Sequence, residues 1–247
     1  MSKRNPLEHD RVLDLSRYQL DVDAQKIKDS GVVGVYAKAC EWFWWRSNPK
    51  YEDPYWVDNA QKISDAGMYL GAYEYYRSKD RKPKEQAEWF REVVGDSPVD
   101  FVVIDVEQRE LTSVWQFTED LITHTKEVQE LFGVVPWIYT RKTFWDYAVG
   151  PALEYDWHKH PLIAAHYNYY MTSPWVPRDW TVAGERDVLW QISDKWINPG
   201  VQGGCDLNLV TQPSRFYELM GKPLPPTLKE QVADLQQRVA TLEAYHS

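Results

Sequence analysis

Short β-rich runs alternate with helical segments along most of this chain, and the alternation limits the folds open to it. Eight runs rich in branched and aromatic residues are predicted strands: 12–16, 34–39, 69–76, 101–107, 136–140, 162–168, 188–193 and 205–210. Between the early runs, apolar residues recur at spacings of three and four, which predicts helices over 21–30, 54–66, 83–94, 118–132 and 141–149. Repeated strand–helix–strand units favour parallel pairing with right-handed crossovers.

Eight predicted strands favour a closed barrel over an open sheet. The first five units are regular, whereas Pro-, Trp- and Gly-rich loops join the last three strands. We therefore predict an α/β fold, an irregular TIM-like barrel that departs from the regular pattern after the fifth unit. In such barrels the chemistry lies at the carboxyl ends of the strands. At 247 residues the chain is long enough for one domain of this kind.

The composition changes after Gly221. We predict a catalytic barrel over 1–221, a Pro-rich linker over 222–227 and an amphipathic or coiled-coil helix over 228–247. In the last segment apolar residues recur at heptad spacing: Leu228, Val232, Leu235, Val239 and Leu242. Branched residues at a with leucine at d favour a parallel two-stranded coil. This segment is expected either to form a homodimer through 228–242 or to pack against its own barrel.

Charge and composition exclude several classes of function. A net charge of −9 argues against a nucleic acid or anionic membrane as partner, and no window of 18 apolar residues could insert into a membrane. The first residues lack an apolar h-region, so we expect synthesis in the cytoplasm without a signal peptide. No phosphate-binding loop or metal-site spacing is present, so we expect no cofactor and no metal. The two cysteines, Cys40 and Cys205, are too few for a disulfide scaffold.

Four acidic residues fall where predicted strands end. Asp105 and Glu107 are two residues apart, so their side chains share one face of a strand, about 7 Å apart. Asp14 belongs to the first strand and Asp206 to the last, and these two strands are neighbours in a closed barrel. Closely spaced carboxyls raise each other's pKa, so one can stay protonated while another is charged. Glycoside hydrolysis needs such a pair.

Each of these residues also has a structural interpretation. An Asp-x-Glu sequence can simply end a strand and begin a loop, and a single aspartate can cap a turn. The chain contains 13 Trp and 16 Tyr, some of which must build the core. Aromatic rings also line sugar-binding sites, so four carboxyls in an aromatic-rich barrel favour a glycosidase cleft.

Several motifs together carry a family resemblance. They follow one order over about residues 10–212: DLSRYQ (14–19), YAKACE (36–41), DPYWVDNAQKISDAGMYLGAYEYY (53–76), AEWF (87–90), VVIDVE (102–107), PWIYT (136–140), AHYN (165–168), LWQIS (189–193) and PGVQGGCDLN (199–208). This order resembles the family-25 glycoside hydrolases, the N-acetylmuramidase lysozymes found in phage endolysins and bacterial wall-lytic proteins.

The resemblance implies a (β/α)5β3 barrel and cleavage of the β-1,4 bond between N-acetylmuramic acid and N-acetylglucosamine. It implies that Glu107 is the general acid, with Asp105 as its carboxylate partner and Asp14 and Asp206 as the other catalytic acids. Six residues are expected to contact substrate: Tyr73, Tyr139, Tyr167, Glu41, Trp44 and Trp190. Bacterial peptidoglycan is the implied partner, reached after release from the cell.

The chain departs from the family pattern at two places. Cys40, Glu41 and Trp42 stand where the family usually has a small residue followed by Glu-Gly, and a Trp-rich insertion follows to Trp45. Glu74 stands where the family often has a histidine. Both changes are expected at the rim of the site, where they would alter subsite preference.

Two questions remain open from the sequence, the nucleophile and the function. The resemblance implies a reaction that retains configuration, which needs a nucleophile opposite the acid, either an aspartate or the acetamido oxygen of the substrate. Since Asp105 and Glu107 share one wall, Asp105 is expected to orient the acetamido group rather than to attack. The alternative functions are a chitinase-like glycosidase and a non-catalytic module that binds cell-wall glycan.

Overall fold

The computed structural model describes residues 5–43, 47–110, 112–150, 155–168, 170–222, 232–233 and 235–239. The chain divides into two compact units, Met1–Gln212 and Pro213–Ser247. The sequence placed the end of the barrel at residue 221 instead, and its division into barrel, linker and terminal helix stays a prediction. Among the described residues, no helix is both long and apolar enough to cross a membrane.

Eight strands of the first unit form a closed barrel, and a ninth short strand lies at its edge. The strands are β1 (Arg11–Leu15), β2 (Val32–Trp42), β3 (Lys50–Glu52), β4 (Tyr69–Tyr75), β5 (Phe101–Asp105), β6 (Trp137–Thr140), β7 (Leu162–Ala165), β8 (Leu189–Ile197) and β9 (Gly204–Val210). Around the barrel the order is β1, β2, β4, β5, β6, β7, β8, β9 and back to β1. The predicted α/β barrel is therefore confirmed.

Seven helices have both ends within the described residues, and each lies in a connection or after the last strand. They are α1 (Ala24–Asp29), α2 (Trp56–Asp65), α3 (Pro83–Val94), α4 (Val114–Phe132), α5 (Lys142–Ala148), α6 (Arg178–Val182) and α7 (Pro213–Leu219). Local sequence sets their ends. Ser113 caps α4 by accepting a hydrogen bond from the Gln116 amide, and Gly133 ends that helix in the left-handed region at φ 69°.

Two parts of the barrel differ from the simple repeat. β9 runs antiparallel to both β8 and β1, because a tight connection between β8 and β9 leaves no room for a crossover helix. β3 pairs antiparallel with the extended end of β2, so residues after the Trp-rich insertion form a hairpin. The short helix α6 lies in the connection between β7 and β8, where the sequence indicated only loops.

The core fills the space between the barrel wall and its helices. All five residues of β5 are buried, as expected for a parallel strand covered on both faces. Six tryptophans are fully buried: Trp56, Trp137, Trp145, Trp157, Trp180 and Trp190. Much of the aromatic content therefore builds this core, and only part of it remains for the site.

Candidate active site

The four acidic residues that the sequence singled out line one cleft. Asp14 on β1 pairs directly with Asp206 on β9 in the antiparallel register, so the two carboxyls meet across one strand pair. Asp105 is the last residue of β5, and Glu107 follows it by two. All four side chains line a cavity of about 520 Å³ at the carboxyl ends of the parallel strands.

Burial raises the pKa of every carboxyl in this group. The pKa of Asp14 lies well above its usual range, because it is buried and faces the charges of Asp206 and Glu107. Burial, with a smaller contribution from Asp194, raises the pKa of Asp206 to about 7. The carboxyls of the cleft thus favour their protonated forms to different degrees, as acid–base chemistry requires.

Asp105 and Glu107 are hydrogen-bonded to each other in the cleft. Burial raises both pKa values, and proximity to Glu107 raises that of Asp105 further. The Arg141 guanidinium, with Nη2 3.3 Å from Oε2 of Glu107, and the hydrogen bond with Asp105 both lower the pKa of Glu107. Asp105 is 8% exposed, and its buried Oδ1 has no hydrogen-bond partner among the described residues.

A buried amide orients two tyrosines of the cleft. Gln191 on β8 accepts hydrogen bonds at Oε1 from the hydroxyls of Tyr139 and Tyr167, both at 2.7 Å. Its Nε2 donates to Oδ2 of Asp206 at 3.2 Å. Since both hydroxyl protons point to Gln191, the two tyrosine oxygens present lone pairs to the cleft. The Tyr73 hydroxyl donates to Asp14.

Two cations balance part of the negative charge. Lys38 Nζ lies 2.5 Å from Oε2 of Glu41 and 5.2 Å from the centre of the Tyr75 ring. Arg77 donates from Nε to Oε1 of Glu41 at 2.8 Å and pairs with Glu110 at 2.7 Å. Glu41 is thus held in place between the two cations at one end of the cleft.

The comparison with known sequences identifies the family of the chain. Residues 13–201 match the description "Glycosyl hydrolases family 25". The chain belongs to glycosyl hydrolase family 25. Among curated proteins it is similar to "Uncharacterized protein YegX" of Escherichia coli strain K12, with 29% identity over 207 residues, 80% of this chain and 68% of that protein.

Solved structures of family 25 lysozymes share the fold. The bacterial lysozyme from Streptomyces coelicolor has a TM-score of 0.72 at 22% identity, with 86% of this chain and 96% of that chain covered. A family 25 lysozyme from Aspergillus fumigatus has a TM-score of 0.70 at 23% identity, with coverage of 85% and 98%. The CTP1L endolysin has a TM-score of 0.71 at 22% identity, with coverage of 86% and 70%.

Most of the predicted substrate-contacting residues of this family 25 chain lie in the cleft. Tyr73, Tyr139 and Tyr167 line it, as does Glu41. Trp44 lies outside the described residues. Of the described residues of the insertion, Phe43 lines the cleft, and its ring centre lies 4.8 Å from that of Tyr51.

Trp190 requires a correction. It is fully buried among the core residues behind the barrel wall, where its Nε1 donates to the His166 carbonyl at 2.8 Å. It does not line the cleft. Neighbouring residues on a strand point to opposite faces, so Gln191 faces the site and Trp190 faces away from it.

Glu74 also lies elsewhere than expected. It was predicted at the rim, but it points out of the barrel from β4, between the inward-facing Tyr73 and Tyr75. There it is 2% exposed and lies 2.6 Å from Nε2 of His124 on α4. The departure from the family pattern therefore affects strand–helix packing rather than the cleft.

Several residues of the site were not predicted from the sequence. Lys38, Arg77 and Tyr75 line the cleft, and Gln191 orders its tyrosines. For two of them the sequence contains a signal that could have identified them. Lys38 is a charged residue inside the apolar run GVYAKA, and Gln191 is a polar one inside VLWQIS. A polar side chain within a buried strand needs a polar partner, which here is the site.

Proposed function

We propose that this family 25 protein is a lysozyme that cleaves the β-1,4 bond between N-acetylmuramic acid and N-acetylglucosamine in bacterial peptidoglycan. The observation that carries the proposal is the convergence of Asp14, Asp105, Glu107 and Asp206 in one cleft, with Asp105 and Glu107 in hydrogen-bond contact. The endolysin and the lysozymes that share its fold support the same reaction. In this proposal the protein acts on the cell wall, as an endolysin or another wall-lytic enzyme.

Glu107 is the general acid of the proposed reaction. Burial raises its pKa, which favours the protonated form, and it is more exposed to the cleft than Asp105. The hydrogen bond between Asp105 and Glu107 lets the two carboxyls share one proton. With that proton on Glu107 and with Asp105 charged, Glu107 donates it to the departing O4 of N-acetylglucosamine.

Asp105 orients the nucleophile supplied by the substrate. Because Asp105 and Glu107 contact each other, they lie on one side of the bond to be cleaved, and Asp105 cannot attack from the opposite side. Once charged, its unpartnered buried Oδ1 can accept a hydrogen bond from the N–H of the 2-acetamido group. The acetamido oxygen then attacks C1 and forms a cyclic intermediate. Water opens this ring as Glu107 takes back a proton, so configuration is retained.

The remaining acids and tyrosines hold the sugar. Tyr139 and Tyr167 present acceptor oxygens, because their protons are bonded to Gln191. Asp206, whose pKa is about 7, and Asp14 on the facing strand are placed to stabilise positive charge that develops on the sugar ring.

The test is to identify the sugar at the new reducing end. Purified peptidoglycan and chitin oligomers are digested side by side, the products are reduced with borohydride, and mass spectrometry identifies the reduced sugar. The proposal expects reduced muramic acid from peptidoglycan and little cleavage of chitin. Reduced glucosamine from peptidoglycan would contradict the proposed bond, and preferential cleavage of chitin would indicate a chitinase. Binding without any cleavage would indicate a glycan-binding module.

A further inference from the structure

We propose that a second, smaller pocket beside the cleft binds the acidic peptide stem carried by a muramyl sugar. This inference rests on the proposed function, since it assigns a subsite for the same substrate. The pocket has a volume of about 150 Å³ and lies between the loops that follow β6 and β7. Its lining residues are Arg141, Lys142, Thr143, Ala165, His166, Tyr167 and Trp175.

The pocket and the catalytic cleft adjoin each other. Tyr167 lines both, and its hydroxyl donates to Gln191. Arg141 also lies between them, because its guanidinium lies 3.3 Å from Glu107 while its side chain lines the pocket. A substituent on a sugar in the cleft therefore lies close to the pocket.

The two cavities differ in charge. Among the described residues, five carboxyl side chains line the cleft together with the cations Arg17, Lys38 and Arg77: Asp14, Glu41, Asp105, Glu107 and Asp206. None of the described residues that line the pocket is acidic, and two of them are cations: Arg141, which lies 3.3 Å from Glu107, and Lys142, whose Nζ lies 2.5 Å from Asp146. In a chain with a net charge of −9, this pocket is suited to an anionic group. Arg141 presents several donors in a planar fork that matches a carboxylate.

A flat aromatic wall completes the pocket. The rings of His166 and Trp175 stack with centroids 4.6 Å apart and an angle of 23° between their planes. The backbone amide of Trp175 donates to Nδ1 of His166 at 3.3 Å, so that this nitrogen holds a lone pair and the ring is neutral. Trp175 is 51% exposed, which leaves a ring face for a ligand.

The peptide stem fits both the cations and the aromatic wall of the pocket. It is joined through the lactyl group on C3 of muramic acid, next to the acetamido group that the cleft is proposed to orient. The stem begins with small methyl-bearing groups and continues with a residue that carries a free carboxylate. The methyl groups suit the His166–Trp175 wall, and the carboxylate suits Arg141 and Lys142.

The experiment compares soluble glycan chains that keep their stems with the same chains after an amidase has removed them. The readout is the ratio of kcat/KM for the two substrates, measured for the wild type, Trp175→Ala, Lys142→Gln and the control Trp115→Ala. Trp115 matches Trp175 in exposure, at 48%, but lines neither cavity. We expect the wild type and the control to prefer stem-bearing chains by about five- to tenfold, the size of one or two charge-assisted contacts.

For Trp175→Ala and Lys142→Gln, we expect the ratio of kcat/KM between stem-bearing and stem-free chains to be close to one. Added salt is expected to reduce the wild-type preference, because it screens the cations from the carboxylate. A wild-type ratio of one, or a ratio unchanged in both pocket variants, would overturn the inference. If neither substrate yields new muramyl reducing ends, the proposed function itself fails, so the two failures are distinguishable.

Discussion

Single residues set the chemistry of this cleft through burial and charge. Asp105 and Glu107 share a hydrogen bond, so their carboxyls lie closer than the separation of about 7 Å that strand spacing predicts, and Asp14 and Asp206 face each other across two paired strands. The convergence of the four acids followed from strand periodicity and barrel closure. The Gln191 network did not, because a residue's hydrogen-bond partners lie on other strands, and the sequence does not give their register.

Arg141 controls the pKa of the general acid in this account. Its guanidinium stabilises the charged form of Glu107, so Arg141→Gln removes a contact that lowers the pKa of Glu107. We therefore expect the alkaline limb of the pH profile of kcat/KM, where Glu107 loses its proton, to move to higher pH. The control is Arg109→Gln, since Arg109 lies over the Tyr147 ring, 5.1 Å from its centroid. If the alkaline limb of the pH profile is unchanged in Arg141→Gln, a group other than Glu107 titrates there.

At the scale of elements, the regular part of the barrel could be read from the sequence and the irregular part could not. All eight barrel strands and helices α1–α5 fall within or close to their predicted ranges, because apolar periodicity and Pro and Gly at helix ends are local signals. The orientation of β9, the hairpin of β3 and the short α6 depend on the packing of distant segments. A local pattern carries no information about that packing.

A buried pair joins three of these elements. His124 on α4 contacts Glu74 on β4 at 2.6 Å and the carbonyl of Pro83, the first residue of α3, at 2.7 Å. The carbonyl can only accept, so Nδ1 carries a proton and donates, and Glu74 shares a second proton with Nε2. Burial raises the pKa of Glu74, and His124 opposes the rise.

Replacing one member of this pair is expected to lower the free energy of unfolding more than replacing both. His124→Phe leaves Glu74 buried without its partner, and we expect a loss of about 3–5 kcal/mol in the free energy of unfolding. The double variant Glu74→Met with His124→Phe is expected to lose less than the sum of the single variants. Urea unfolding of the four proteins gives this double-mutant cycle. Strict additivity would show that the two side chains do not interact.

At the scale of the whole molecule, the described residues that line the two cavities belong to the unit Met1–Gln212. The catalytic steps proposed above use residues of that unit. Of the predicted heptad positions, Val232, Leu235 and Val239 fall in described helical residues and are exposed. Leu228 and Leu242 lie outside the described residues.

Association through residues 228–242 stays a prediction. Light scattering across micromolar concentrations is expected to show a dimer for the full chain and a monomer for a chain that ends at Gly221. Both should cleave soluble glycan equally well per barrel, whereas the full chain should clear insoluble walls faster, because two linked barrels bind one surface. If both chains are monomers, the terminal segment has another role.

The most direct test of the account is the release of soluble muramyl fragments from purified peptidoglycan by Glu107→Gln. The amide keeps the shape of the side chain but cannot donate a proton. We expect the rate to fall by at least about 10²–10⁴-fold with an unchanged melting temperature. The control Glu92→Gln alters an exposed glutamate on α3 that pairs with Lys50, and it should keep the wild-type rate. Near-full activity of Glu107→Gln would contradict the assignment of the acid and with it the proposed mechanism.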